Sequence, residues 1–434
     1  MIVIIGAGIT GLALAHALEH RHIEHLVLEA STRAGGAIRS TLAGGRVLEA
    51  GPQRGRLSAP LRDLVGEIGL EQELLLAPTD LSLLIFRDGR LRTAPLTARE
   101  LVRTDLLSTW GKLRLLAEPF VVRRAEAASS AAQVLRRRVG EEAYAHFLGP
   151  LFGGLYASDP AQMPAGIALL PLLEDLGLRD RSLVAAALRR RSQPARAFSF
   201  LRGMQSLTDR LYERHRAAVR LGCVVSGLRV SGSGITVTAG GERISAREVV
   251  LTVPADDASR VLRSAAPAAA ERLAQLRYNP LAIAYLESDA PLHGYGYQVS
   301  LAEPTETRGV TFNDSLFGHV VAPSPDPTLG PGNGRARLFT AFLGGALRPS
   351  IHDMPADWIA EVACNEFRRA TGDDATAIGM ERARIPAWDR SWAGLEGLTL
   401  PEGIHLATNY ESRIGIGGRL ARATSLAARL AATR

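Results

Sequence analysis

The sequence predicts an α/β fold: a Rossmann-like domain made of discontinuous segments, with a mixed β-sheet domain and a helical insertion. Three observations carry this. The chain opens with an apolar run, Met1-Ile-Val-Ile-Ile, that enters Gly6-Ala7-Gly8-Ile9-Thr10-Gly11 and continues as a helix. A second apolar run, Leu26-Val-Leu, ends on Glu29. Strand-like and helix-like stretches then follow without internal repeats, so the opening sheet is completed by segments far away in sequence.

Each element of the opening has a physical job. Gly6 makes the tight turn out of the strand, Gly8 lets backbone approach a pyrophosphate, and Gly11 lets helix pack close to strand. The helix start offers unpaired N–H groups to phosphates. Glu29, at the tip of the second strand, is placed to accept hydrogen bonds from a ribose hydroxyl. Together these mark a dinucleotide site. Just downstream, Arg33-Ala34-Gly35-Gly36-Ala37-Ile38-Arg39-Ser40 carries a second glycine pair, which suits an extended ligand threaded along the backbone. Leu48-Glu49-Ala50 then leads into a turn, Gly51-Pro52-Gln53-Arg54.

From about Thr97 to Arg191 helical signals dominate. The stretch from Glu100 to Leu116 is amphipathic with interspersed arginines, a pattern that fits packing on its own domain or lying on a membrane surface. From 217 to 255, Cys223–Val230, Gly234–Thr238 and Glu248–Pro254 read as short strands, a β-meander returning to the opening sheet. Strands resume from about Asn279 to Gly345, interrupted by a Pro/Gly-rich surface loop, Pro323–Gly334, and a helix follows from Ala356 to Thr371.

Formal charge is +7 and the sequence pI is near 9.9, which favours anionic partners, although the excess is almost all arginine. No concentrated basic patch with interleaved aromatics is seen, so nucleic acid is not expected as a partner. Cys223 and Cys364 form no C-x-x-C pair, which argues against a disulfide scaffold and against a zinc site, and no metal is expected. Met1 abuts the first strand and no apolar run approaches the ~18 residues of a membrane span. A cytoplasmic protein without a leader is expected, with peripheral contact at the inner face of the cell membrane left open.

The Arg33–Ser40 run resembles the second fingerprint of the flavin-dependent amine oxidase and porphyrinogen oxidase superfamily, and that resemblance implies FAD as cofactor. Four further stretches are similar, in order, to the protoporphyrinogen/coproporphyrinogen oxidase family: Val139–Pro160, Phe200-Leu-Arg-Gly203-Met-Gln205-Ser-Leu, Gly294-Tyr295-Gly-Tyr297, and Phe339-Thr-Ala-Phe342-Leu-Gly344-Gly345. The resemblance covers nearly the whole chain. It implies an FAD-binding domain from residues 1–75, 195–262 and 378–434, a substrate domain from 76–96 and 263–377, and a helical insertion at 97–194. Cofactor contacts would come from Gly6, Ala7, Gly8, Ile9, Thr10, Gly11, Glu29, Ala30, Gly35, Gly36, Ala37, Arg39, Gly51, Pro52, Gln53, Arg54, Val225, Asn409, Ile414, Gly415 and Ile416. Tyr295, Gln298 and Phe342 fall on substrate-binding positions.

The chemistry implied is oxidation of a porphyrinogen to the porphyrin in haem biosynthesis. A hydride leaves a methylene bridge and a pyrrole N–H proton is lost, in three rounds, with oxygen as electron acceptor and hydrogen peroxide as product. No catalytic acid or base is demanded and none stands out. Amine oxidases of the superfamily place a lysine near the flavin, whereas Lys112, the single lysine here, lies in the helical insertion. The alternatives are a carotenoid desaturase or amine oxidase, or a non-catalytic flavin- or porphyrin-binding homologue; a homodimer is open. The chain departs from the family pattern at Thr408 and Arg413, which replace glycines, at Gly418, which replaces an acid, at Leu83, where many members carry an arginine, and at Gln298, commonly leucine.

Overall fold

The computed structural model describes residues 1–121, 129–189, 196–232, 234–318, 336–411 and 415–433. The chain divides into two compact units of discontinuous sequence: Met1–Leu76, Ala195–Leu276 and Ala393–Arg434 form the first, Ala77–Pro194 and Arg277–Trp392 the second.

The first unit is organised by a five-stranded sheet. Its centre is β1 (Ile2–Ile5), flanked by β2 (His25–Leu28) and by Glu248–Leu251; Val219–Arg220 extends the sheet beyond β2 and Ile404–Leu406 beyond Glu248–Leu251. Every pairing in it is parallel, which explains why β1 is buried at all positions: helices and loops cover both faces. The turn after β1 leads into α1 (Ile9–Glu19), buried continuously from Thr10 to Leu18. A helix apolar nearly all round needs cover on several sides. Helices Gln205–His215 and Ile416–Ala432 supply it, with Leu12, Leu14 and Leu18 meeting Leu207, Leu211, Leu420 and Leu426 in one core.

The expected meander is a three-stranded antiparallel sheet of Val225–Ser231, Gly234–Ala239 and Glu242–Ala246. Its last strand is hidden in the sequence because Glu242 and Arg243 are exposed charges on a sheet edge, where charges guard against unwanted pairing.

The second unit holds a seven-stranded mixed sheet in the order Thr376–Pro386, Tyr278–Ser288, Arg337–Gly344, Thr307–Phe312, Gly296–Val299, Leu83–Arg87, Arg90–Thr93. Pairings are antiparallel except between Gly296–Val299 and Leu83–Arg87. Helix Ala356–Thr371, at the bounds the sequence suggests, packs Ile359, Ala363 and Phe367 against Tyr297, Phe312 and Phe339. The helices between Ala98 and Arg189 build a separate core around Leu106, Leu135, Phe147, Phe152 and Leu169.

Two borders differ from the sequence reading. Helices Ala255–Leu262 and Pro267–Ala274 pack on each other within the first unit, so that segment runs to Leu276 rather than 262. Strand Thr376–Pro386 pairs along Tyr278–Ser288 and carries the second unit to Trp392 rather than 377. Nothing local in either stretch marks a break; sheet register and helix packing decide. The Pro323–Gly334 stretch lies outside the described residues.

Candidate functional site

The site in the first unit is built where β1 stops. Gly6 has φ +105°, a conformation an L side chain rarely adopts, and its N–H donates to the Leu28 carbonyl at 2.8 Å. The Thr252 hydroxyl braces the turn from behind by donating to the Ile5 and Gly6 carbonyls, both at 2.9 Å. A Cβ on Gly11 would stand 2.0 Å from the Gly6 carbonyl oxygen, so Gly11 is what allows α1 to start this close to the strand.

Gly8 is different. It caps α1 without a side-chain hydrogen bond, and an added Cβ would meet only the Gly36 Cα, at 3.9 Å. The protein by itself has no need of glycine there. A ligand lying over the turn does, and the bare helix start is where phosphate oxygens would find donors. The cradle therefore fits the pyrophosphate of a dinucleotide.

The second glycine turn closes on the first. Gly8 and Gly35 pair as a parallel bridge, and the Gly35 N–H donates to the Ala7 carbonyl at 2.8 Å. The Arg33 guanidinium holds that turn in shape by donating to the Ala34, Gly36 and Ile38 carbonyls. A Cβ on Gly51 would stand 2.1 Å from the Ala37 carbonyl oxygen, which brings the loop Gly51-Pro52-Gln53-Arg54 against the same turn, all four half-buried. Gln53 secures it by donating to the Glu49 carbonyl at 2.8 Å.

Glu29 reaches over the edge of the sheet. One carboxylate oxygen accepts the Ala7 N–H at 2.7 Å; the other accepts the Ser31 N–H at 2.9 Å and the Ser31 hydroxyl at 2.7 Å. An ionised carboxylate has about four lone-pair sites, leaving capacity for ribose hydroxyls. The Cys223 N–H donates to the Glu29 carbonyl at 2.8 Å, which draws the segment leading to Val225 alongside; Ala30 is exposed beside it.

Sequence reasoning passed over three contributors here: Arg33, Thr252 and Glu49. Glu49 is buried and accepts the Met204 N–H and the Ser40 hydroxyl, each at 2.7 Å. Burial pushes its carboxyl up to about 7, against the downward pull of those two hydrogen bonds. Ser40 in turn exchanges hydrogen bonds with Gln205, so the glycine turn at 203 is tied to the strand after Arg39. The links to Met204 and Gln205 join residues more than 150 positions apart, and no short motif encodes them.

At the C-terminal end, Gly415 starts helix Ile416–Ala432 with φ +85°, and an added Cβ there would meet nothing within 4 Å. Arg419 donates to the Thr408 and Asn409 carbonyls at 3.0 and 3.1 Å, fixing that strand exit. Thr408, which stands where the family pattern has glycine, is fully buried, so its side chain offers no surface to a ligand. Ile414 and Arg413 lie outside the described residues. A cavity of about 310 Å³ in this unit, lined by Leu398, Ile404, His405, Glu411, Arg422 and Arg429, touches none of the expected cofactor residues.

In the second unit, register groups two of the three substrate candidates. Gln298 pairs with Gly309, and Gly309 pairs with Phe342 on the next strand, so both side chains stand on one face with only a glycine between them. Gln298 is confined by glycines: a Cβ on Gly154 would stand 2.5 Å from its amide oxygen, and one on Gly309 would stand 2.9 Å from its amide nitrogen. Tyr297 points the other way and is fully buried in the core under helix Ala356–Thr371. Tyr295 precedes the strand, half-buried, and has no place in the Gln298–Phe342 row.

Residues 9–397 match a family profile described as flavin containing amine oxidoreductase. Protoporphyrinogen oxidase 1, chloroplastic, of Spinacia oleracea is 29% identical over 85% of this chain and 70% of its own length. Coproporphyrinogen III oxidase of Bacillus subtilis (strain 168) is 26% identical over 85% of this chain and 82% of its own. Among solved structures, an Exiguobacterium sp. 255-15 protein provisionally named protoporphyrinogen oxidase superposes with TM-score 0.79 at 21% identity, covering 100% of this chain and 99% of that one. Cyclohexylamine oxidase from Brevibacterium oxydans IH-35A gives 0.71 at 16%, covering 100% and 98%. At such identities the structures speak for the fold alone.

Proposed function

The chain belongs to the flavin-containing amine oxidoreductase family, and from that premise we propose that it oxidises a porphyrinogen, protoporphyrinogen IX or coproporphyrinogen III, to the porphyrin, with oxygen as acceptor. FAD is the cofactor: a flavin family combined with a dinucleotide turn describes flavin adenine dinucleotide. When bound, it supplies the acceptor for hydride from a substrate methylene carbon. The observation that carries the substrate reading is that porphyrinogen oxidases align over 85% of this chain, through both units.

The residues named above would each do a part. The uncapped start of α1 and the space over Gly8 would seat the pyrophosphate, and Glu29 would receive ribose hydroxyls. Arg33 and Thr252 keep both turns rigid, so little ordering cost falls on binding. Gln298 and Phe342 would line the substrate face, one offering an amide to pyrrole or carboxylate and the other an aromatic surface. The amine oxidase alternative lacks its lysine: Lys112 belongs to helix Thr109–Leu116 and donates to the Val102 carbonyl at 3.2 Å.

The deciding experiment is anaerobic addition of coproporphyrinogen III, then of protoporphyrinogen IX, to the purified flavoprotein. Bleached flavin bands with porphyrin fluorescence are expected for one of them, and hydrogen peroxide on admitting oxygen. If neither bleaches the flavin, the porphyrinogen reading fails. Phe342→Ala should lower kcat/KM about tenfold, the ~1.4 kcal/mol of a lost aromatic contact, with flavin content unchanged. Unaltered turnover would remove Phe342 from the substrate face.

The helical segment also supports peripheral membrane contact. Val102, Trp110 and Phe120 are 78%, 80% and 90% exposed, with Leu113 and Leu116 beside them. Large exposed apolar side chains concentrated in one stretch of chain point to an interaction surface. Among the described residues no helix is long and apolar enough to cross a membrane. Co-sedimentation with anionic phospholipid vesicles should fall roughly tenfold or more in Trp110→Ser/Phe120→Ser, since each ring contributes on the order of 1–2 kcal/mol when half-inserted. Equal sedimentation of variant and parent would sink the membrane reading.

A further inference from the structure

The far end of α1 from the glycine turn carries a cluster that cofactor binding does not use. His16 lies on the last full turn of α1, His20 caps the helix one turn later, and Glu67 is the last residue of α2 (Ala59–Glu67). The spacing of His16 and His20 puts both rings on one helix face, with centroids 4.5 Å apart. Glu67 Oε2 lies 3.0 Å from His16 Nε2 and 3.7 Å from His20 Nε2. Tetrahedral zinc with bonds of 2.0–2.1 Å holds its ligand atoms ~3.3 Å apart, so these three atoms stand close to a metal-binding triangle.

Behind the triangle is a second layer from a third helix. His16 Nδ1 lies 3.1 Å from Nε2 of His215, the last residue of Gln205–His215, and His215 Nδ1 lies 3.3 Å from Glu19 Oε2. The run Glu67, His16, His215, Glu19 thus contains three polar gaps. His16 and His215 are only 6% and 3% exposed, so these contacts are shielded from water.

We propose that His16 Nε2, His20 Nε2 and the Glu67 carboxylate bind a divalent first-row transition cation of the zinc class. The cation sits among these three ligand atoms, on the Nε2 side of His16. His16 Nδ1–H then donates to His215 Nε2, and His215 Nδ1–H donates to the Glu19 carboxylate. Every ring nitrogen in the His16–His215 pair gains a partner, in the arrangement by which metal-bound histidines are usually oriented. Arg214, whose Nε lies 3.7 Å from Glu19 Oε2, holds the outer carboxylate in place. Half-exposed His20 and Glu67 leave a path for the ion and room for water as the remaining ligand. A bound cation would tie α1, α2 and Gln205–His215 together behind the nucleotide turn.

The test is calorimetric titration of the chelator-stripped holoprotein with Zn²⁺ alone. One equivalent is expected to bind saturably. His20→Ala and Glu67→Gln should each weaken it at least ~100-fold, and Glu19→Gln ~10-fold through the second layer, with flavin-to-protein ratio unchanged. Both primary variants alter half-exposed side chains, so they fold whether or not buried His16 tolerates change. His22→Ala, next to the cluster in sequence but outside it, should bind as the parent does. Absence of saturable zinc binding, or parental affinity in both His20→Ala and Glu67→Gln, would overturn the site.

Discussion

Gly8→Val yields a folded protein that no longer retains FAD. The two halves of that result have separate causes. Folding survives because a Cβ at residue 8 meets only the Gly36 Cα at 3.9 Å, and the backbone there, φ −71° and ψ 177°, is open to any residue. Binding fails because the valine methyls fill the space over the start of α1 that a pyrophosphate needs. Forcing both into one volume costs about 3 kcal/mol even where the surroundings yield, a loss of roughly 100-fold in affinity. Gly11→Ala is the contrasting control: its Cβ would stand 2.0 Å from the Gly6 carbonyl oxygen, so it should depress the melting temperature of the apoprotein itself. The measurement is the flavin-to-protein absorbance ratio after incubation with FAD, alongside the apoprotein melting temperature. Parental FAD occupancy in Gly8→Val would mean that the cofactor lies elsewhere.

That contrast shows what a sequence motif does and does not contain. The turn residues Gly6, Gly8, Gly11 and Glu29 are legible because their jobs depend on neighbours within one strand–turn–helix unit. The motif assigns Gly11 to helix–strand packing and Gly8 to a ligand, and the distances add that an added Cβ meets backbone at Gly11 and almost nothing at Gly8. Thr252 and Glu49 were invisible as contributors because each works through carbonyls or N–H groups that the fold delivers from elsewhere, whereas Arg33 acts on the carbonyls of its own turn, a role its motif position does not reveal. The substrate face shows the same limit. Alternation within Gly296–Val299 puts Gln298 and Tyr297 on opposite faces, but which face meets Phe342 depends on the pairing of Gln298 with Gly309 and of Gly309 with Phe342 across three strands. Tyr295, chosen by motif, falls outside that row because it precedes the strand. Helix Ala356–Thr371 could be read to the residue because an amphipathic pattern starts after Pro355 and stops at Gly372, with φ +87°.

Glu118→Ala should destabilise the second unit by about 3–5 kcal/mol, the usual cost of stripping one partner from a buried ion pair. Glu118 has no exposed surface, and its carboxylate lies 3.3 Å from Nε of Arg138, itself nearly buried. It also accepts the Ser182 hydroxyl and the N–H groups of Leu183, at 3.1 Å, and Val184, at 3.4 Å. A negative charge therefore sits on the otherwise unpaired start of helix Leu183–Arg189 while neutralising a cation on helix Ala131–Val139. Burial pulls the Arg138 guanidinium below its ordinary value, with Glu118 opposing that shift, so deleting the carboxylate leaves a buried charge with only the Leu178 and Arg181 carbonyls as hydrogen-bond partners. Pairing Glu118→Ala with Arg138→Met should recover much of the loss, because an apolar pair no longer carries the desolvation cost. All four tryptophans, Trp110, Trp358, Trp388 and Trp392, belong to the second unit, so urea unfolding followed by tryptophan fluorescence reports on it selectively. A single-variant loss under ~1 kcal/mol, or losses that simply add in the double variant, would show that the pair does not hold these helices together. The consequence extends to the proposed membrane contact, because Trp110 and Phe120 lie on helices packed in the same group. If Glu118 anchors that group, Glu118→Ala should also weaken vesicle binding while every residue of the patch is still present, and the Arg138→Met partner change should restore it.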